Sequence, residues 1–200
     1  MATDIKTSVP SKVLSPNRLA HVVLRTNATN FKPMVAFYKT FLGAHASYEN
    51  EMLSFLTYDE EHHRIAIAGL PNTAAKLPGS AGMDHVAFAF NNIHDLTLSY
   101  QQRKDQGILP IWCTNHGPTL SMYYRDPDGN KVEAQVDVFD TPEGATAFMT
   151  SPEFAENPVG VDFDPEDIIR RLSNGEDEKL VMKRPNVGLR RIDAALVDKQ

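Results

Sequence analysis

The sequence predicts an α+β fold: two paired strand–helix–strand–strand–strand modules that form a cup, followed by a C-terminal extension. Three observations carry that prediction. "LAHVVLRT" at 19–26 and "MDHVAFAF" at 83–90 are alike, and each holds a His-Val pair. From His21 to Gly43 is 22 residues, and from His85 to Gly107 is again 22. The closing hairpins also match, "YDEEHHRIAIA" against "YRDPDGNKVEAQ". A repeat decides the fold before any single element does, because each copy is one supersecondary unit.

The first module spans 18–70. After its opening strand, "NFKPMVAFYKTFLG" places Met34, Phe37, Tyr38 and Phe41 at spacings of three and four, the stripe of an amphipathic helix. Gly43 suits its C-terminal cap. Three strands follow: "AHASYE", "MLSFLTY" and "HRIAIAG". The second module, 82–138, repeats the order with the helix "NNIHDLTLSYQQRKDQG", ended near Gly107, and the strands "LPIWCT", "LSMYY" and "KVEAQVDV". In the last strand Val132, Ala134 and Val136 share one face, and Lys131, Glu133 and Gln135 share the other. The turn before it, Asp126-Pro127-Asp128-Gly129, has its proline and glycine where turn chemistry wants them. Between glycine and hairpin aspartate the second copy is three residues longer, and the surplus lies around "TNHGPT".

The extension covers 139–200. Asp164-Pro165-Glu166 reads as a helix start, so a helix is expected near 164–174. Ile168, Ile169 and Leu172 give it an apolar side, and Gly175 stops it. "TSPEFAENPVGVDF", with its prolines and aromatics, reads as a segment running extended over a surface, at the mouth of the cup or at an oligomer interface.

Composition bounds the function. Hydrophobic content of 42% and charged content of 23% are ordinary globular values. A net charge of −6 without a basic cluster argues against a nucleic-acid partner. No apolar run reaches the roughly 18 residues of a membrane span, and "MATDIKTSVPSKVLSPNR" lacks the apolar core of a secretory leader. A cytoplasmic location is the expectation. The single cysteine, Cys113, excludes an intrachain disulfide and any multi-cysteine metal site, and reads as a small buried residue.

The repeat also breaks symmetry. His21 matches His85, but Glu133 matches Ala66. Two imidazoles and one carboxylate, with open positions opposite, form the facial triad of non-haem Fe(II) oxygenases. Each residue alone has a bland reading: a core histidine, a duplicated histidine, a solvated glutamate. Together they are the ligand types that an iron site needs.

These features resemble the vicinal oxygen chelate, or glyoxalase-like, superfamily, whose paired βαβββ modules form a metal cup. Within it the chain is similar to the type I extradiol dioxygenases of the catechol 2,3-dioxygenase and dihydroxybiphenyl dioxygenase kind, over about residues 18–138. "HHRIAIA", "MDHVAF" and "NHGPTLSMYYRDPDGNKVEAQ" carry the likeness most specifically, and "SPEFAENPVGVDFDPEDIIRRL" resembles some members' C-terminal segments.

The resemblance implies Fe(II), with Mn(II) the alternative, held by His21, His85 and Glu133. It implies His63 as acid–base residue, Tyr123 as active-site tyrosine and His116 as a further pocket histidine. Strict alternation counted from Ala66 would aim His62 inward instead of His63. The implied function is extradiol cleavage of a catechol-type aromatic diol by dioxygen, in a homo-oligomer. Rival readings within the superfamily are a metal-dependent isomerase, a thiol transferase, or a metal-free protein that sequesters a small molecule.

Overall fold

Helix α1 (Phe31–Leu42) forms where the apolar stripe predicts it. Met34, Tyr38 and Phe41 are buried along one side, and Gly43 ends the helix at φ 61°, the left-handed cap position that glycine fills without strain. The second helix, α2 (Ile93–Asp105), starts on the Asn92 side chain, which accepts from the Asp95 amide. The computed structural model describes residues 12–77 and 79–191. The expectation about a secretory leader rests largely on residues 1–11, which lie outside the described residues.

Strands β1 (Val22–Thr26), β2 (His45–Glu49), β3 (Leu53–Thr57) and β4 (Ile65–Gly69) make a four-stranded sheet in the order β1-β4-β3-β2. Strands β5 (His85–Phe90), β6 (Trp112–Asn115), β7 (Thr119–Arg125) and β8 (Lys131–Asp137) repeat that order as β5-β8-β7-β6. In both sheets the first strand runs parallel to the fourth. The registers match too: Ala66 stands beside Val23, and Glu133 beside Ala87, two residues after His21 and His85 respectively. The α+β class and the duplicated strand order are thus those read from the sequence.

A single apolar core joins both copies and the extension. Met34, Leu56 and Ile67 from the first module meet Leu96, Met122 and Val132 from the second, with Ile168 and Val181 from the extension. Each fully buried aliphatic side chain contributes about 2 kcal/mol by leaving water. Polar staples fix the modules to each other. Arg103 on α2 donates through Nε and Nη2 to the Phe41 carbonyl, at 2.9 and 2.8 Å, and lies over the Phe41 ring. Tyr38 donates to Asp126 Oδ2 at 3.0 Å.

The extension is more helical than the sequence reading has it. Helices α3 (Pro142–Met149) and α4 (Pro152–Glu156) begin on Thr141 and Ser151, whose hydroxyls accept from the amides of Gly144 and Phe154. The stretch 150–163 is therefore not extended throughout. It becomes so only at β9 (Val161–Asp162), which pairs antiparallel with β6 and adds a fifth strand to the second sheet. Helix α5 (Pro165–Ser173) follows where expected, on an Asp164 cap, and α6 (Glu178–Met182) packs Val181 and Met182 into the core. Among the described residues no helix is long and apolar enough to cross a membrane.

Candidate metal centre and its surroundings

Strand β8 turns Val132, Ala134 and Val136 into the core, so Glu133 faces the opposite side of the sheet. There it is only 4% exposed. The pairing aligns Ala87, Glu133, Tyr123 and Trp112 as one row across four strands. His85, one pleat along β5, reaches Glu133 with Nε2 at 2.9 Å from the carboxylate. Its Nδ1 lies 2.7 Å from Asp84, whose carboxylate also takes the Lys131 ammonium at 2.7 Å.

These contacts set the charges. Burial alone would raise the Glu133 pKa, but hydrogen bonds from His85 and Ser121 outweigh it and hold the carboxyl below its ordinary range. The bond to Glu133, against the cost of burial and with help from Asp84, raises the His85 pKa. The Tyr123 phenol is pushed up by burial and by the Glu133 charge, so it stays protonated. Burial lowers the His116 pKa and favours its neutral form.

Tyr123 and His116 act as a unit on β7 and the loop before it. His116 Nε2 lies 2.9 Å from the Tyr123 hydroxyl, and its Nδ1 lies 2.5 Å from the Val159 carbonyl. Trp112 stacks on Tyr123 with ring centroids 5.0 Å apart, and its indole N–H donates to Asp162 at 2.9 Å. Val159 completes this second small apolar cluster.

The histidines of the first module gather separately. His21 lies just before β1, and its ring centroid is 4.4 Å from that of His63. His63 also stacks on Phe55, the β3 residue in register with Ala66. His62 is well exposed, and its Nδ1 lies 2.5 Å from that of His63. Residues 62 and 63 are outside any strand, so alternation counted from Ala66 does not reach them. Burial, then the neighbouring His21 and His62, lower the His63 pKa.

Of the six residues singled out in the sequence, four come together: His85, Glu133, Tyr123 and His116. His21 and His63 form their own pair. Among the described residues no group of three or more His, Cys, Asp or Glu side chains converges as a metal cage. His21 instead borders a groove of about 180 Å³ whose far wall includes Val86 and Ala87 of β5, the strand that begins with His85.

Three contributors had not been singled out. Asp84 orients His85, Trp112 backs Tyr123, and the Val159 carbonyl meets His116. Cys113 is buried, and burial pushes its thiol pKa up to about 12, as suits an inert core residue.

Comparison with known proteins decides the family. The profile described as Glyoxalase/Bleomycin resistance protein/Dioxygenase superfamily matches residues 18–134. This chain belongs to that superfamily. Two relatives from Rhodococcus globerulus are much closer than the fold alone requires. Biphenyl-2,3-diol 1,2-dioxygenase 2 is 49% identical over 79% of this chain and 83% of its own length. Biphenyl-2,3-diol 1,2-dioxygenase 3 is 46% identical over 74% and 78%. The chain is a dioxygenase of this superfamily.

Solved structures share its fold at low identity. A glyoxylase/bleomycin resistance protein/dioxygenase domain from Frankia sp. aligns with TM-score 0.50 and 17% identity, over 62% of this chain and 99% of that one. A Bacillus anthracis glyoxalase family protein aligns with TM-score 0.50 and 20% identity, over 63% and 99%.

Proposed function

We propose that this dioxygenase carries out extradiol cleavage of an aromatic 1,2-diol of the biphenyl-2,3-diol kind, with a divalent metal, Fe(II) first and Mn(II) second, held by His21, His85 and Glu133. One observation supports the reading most. A carboxylate is buried and ionised on the face of the second sheet opposite the main core, and its ion-pair partner is an imidazole. A buried anion without a strong cation is costly, and a bound metal ion would relieve it.

The donor set fits such an ion in kind. His85 and Glu133 already face each other, and with Nδ1 turned to Asp84 the nitrogen left to ligate is Nε2, once it gives up the proton it now shares with Glu133. His21 supplies the third ligand once the two sides of the groove approach, and that approach is part of the proposal. Such a metal would lower the pKa of the diol hydroxyls and supply the redox chemistry that dioxygen activation needs.

The chain's own side chains do the rest. Tyr123, kept protonated and with its proton turned to His116, offers its hydroxyl oxygen as the acceptor for a hydroxyl of the bound diol. His116 holds the Tyr123 hydroxyl in place. His63, whose lowered pKa leaves it neutral near pH 7, accepts the proton that the diol releases and returns it as the ring opens. The Trp112 ring fixes the plane of Tyr123. The protein works as a homo-oligomer in the cytoplasm.

The test is anaerobic reloading with Fe(II), followed by 2,3-dihydroxybiphenyl or catechol in air. Uptake of one dioxygen per diol together with a yellow ring-opened product, absent in Glu133→Ala, is the expected outcome. Metal binding without uptake on any diol would favour the isomerase or transferase readings. No metal binding would favour a sequestering protein.

A further inference from the structure

We propose that the C-terminal extension is a working wall of the site: it fixes His116 in one tautomer, and Arg184 is the positioning residue that locks it there. This rests on the function proposed above for Tyr123 and His116.

The "TNHGP" loop is tied to the extension through His116 Nδ1, the His116 carbonyl and the Asn115 side chain. His116 Nδ1 meets the Val159 carbonyl at 2.5 Å. A carbonyl only accepts, so Nδ1 carries the proton and Nε2 is left as the acceptor for the Tyr123 hydroxyl, 2.9 Å away. The opposite tautomer would set a lone pair against the Val159 carbonyl and turn the bond to Tyr123 around. The proton of Tyr123 would then no longer be directed at His116.

Arg184 holds both sides of this contact. It is 7% exposed, and its Nη1 donates to the Asn157 carbonyl at 2.7 Å and to the His116 carbonyl at 3.2 Å. Nη2 reaches the Glu153 carbonyl at 3.3 Å, and the guanidinium lies over the Phe148 ring at 4.9 Å. One planar fork thus ties the loop bearing His116 to the strap 151–162 that presents Val159.

Two further features are built for the same closeness. Asn157 brackets Gly160, accepting from its amide at 2.8 Å and donating to its carbonyl at 3.0 Å. Gly160 sits at φ +111°, where a Cβ would come within 2.5 Å of the Asn115 carbonyl oxygen, so only glycine lets the strap lie this near β6. Asn115 in turn donates to the Met182 carbonyl at 2.7 Å, which ties down the chain just before Arg184.

The test combines nitrogen NMR with kinetics on the full chain. Two-bond proton–nitrogen correlation of the imidazole rings, in metal-free protein at neutral pH, reads the tautomer of His116 directly. The expected result is Nδ1–H in the wild type and a mixture of tautomers in Arg184→Ala. With that loss kcat falls about tenfold while KM changes less than about twofold, the size seen when a supporting contact is removed. Arg184→Lys keeps the charge near Phe148 but not the fork, and is expected between the two.

An Nε2–H signature in the wild type overturns the proposal, whatever the variants do. So does Arg184→Ala, or Arg184→Lys should the alanine variant not fold, keeping both the Nδ1–H signature and wild-type kcat. The ring measurement needs no turnover. A wild type inactive on every diol would sink the proposed function and leave the tautomer reading to stand or fall separately.

Discussion

The two modules share a strand order, a register and a helix, yet they differ in the row of residues that crosses the sheet beside the paired histidine. In the first, Val23, Ala66 and Phe55 lie in one row, with exposed His21 and half-buried His63 beside it. In the second, the equivalent row is Ala87, Glu133 and Tyr123, extended by Trp112. The extension covers this second row, through β9, Val159 and Asp162. Duplication supplied one frame twice. Chemistry concentrated where a third segment closed it off, because a buried charge and a directed hydrogen bond act more strongly out of water.

Exchanging the row residues breaks this contrast most sharply. Glu133→Ala is expected to abolish metal binding and lower turnover on the order of 10³-fold or more. Titration calorimetry with Fe(II) or Co(II), beside an oxygen electrode, measures both. The mirror change, Ala66→Glu, puts a carboxylate at a 3% exposed position, in the register to His21 that Glu133 has to His85. With only that exposed imidazole to offset its burial, it should cost about 1–3 kcal/mol of stability in urea unfolding.

Next in size are the acid–base groups. His63→Ala should lower kcat about a hundredfold, the scale of a lost general base, with metal affinity kept. His62→Ala, at an exposed ring, should leave kcat unchanged within about twofold. Equal effects of the two would show that the stacking of His63 on His21 and Phe55 does not select it. Tyr123→Phe removes one hydrogen bond worth about 1.4 kcal/mol and is expected to cost about tenfold in kcat.

Much of this was legible in the sequence, for identifiable reasons. The duplicated His-Val strands and the equal spacing to Gly43 and Gly107 exposed the modules, and the mismatch of Glu133 with Ala66 marked the odd carboxylate. Helix α5 was legible from Asp164-Pro165. The same cue at Ser151-Pro152 marks α4, but nearby prolines and aromatics favoured an extended reading of 150–163; the cue at Thr141-Pro142, which marks α3, had no apolar stripe behind it to draw notice. Trp112 is the only tryptophan. Nothing local ties it to Tyr123, since their alignment exists only once β6 and β7 pair. Val159 acts through its carbonyl, a group every residue carries, so no side-chain pattern announces it.

The mildest test lies at the hairpin aspartates, equivalent positions with opposite shifts. Asp126 is buried, and burial raises its pKa despite hydrogen bonds from Asn130 and Tyr38. Asp59 is exposed. Desolvation is the largest single influence on it, but the Glu61 amide and Arg64, whose Nε lies 2.9 Å away, together outweigh it, and its pKa falls. A raised carboxyl pKa means that the folded state holds the proton longer. The stability from Asp126 is therefore present below the unfolded carboxylate value and lost as pH rises through the folded one. Asp59 has the reverse sign: its contribution is present above the unfolded value and lost as pH falls through the lowered folded one. Urea midpoints at several pH values from 3 to 7 should therefore diverge in opposite senses. Relative to wild type, Asp126→Asn should gain stability as pH rises, and Asp59→Asn should lose it. Parallel slopes for the two variants would mean that the hairpins, unlike the rows above them, respond to their surroundings in the same way.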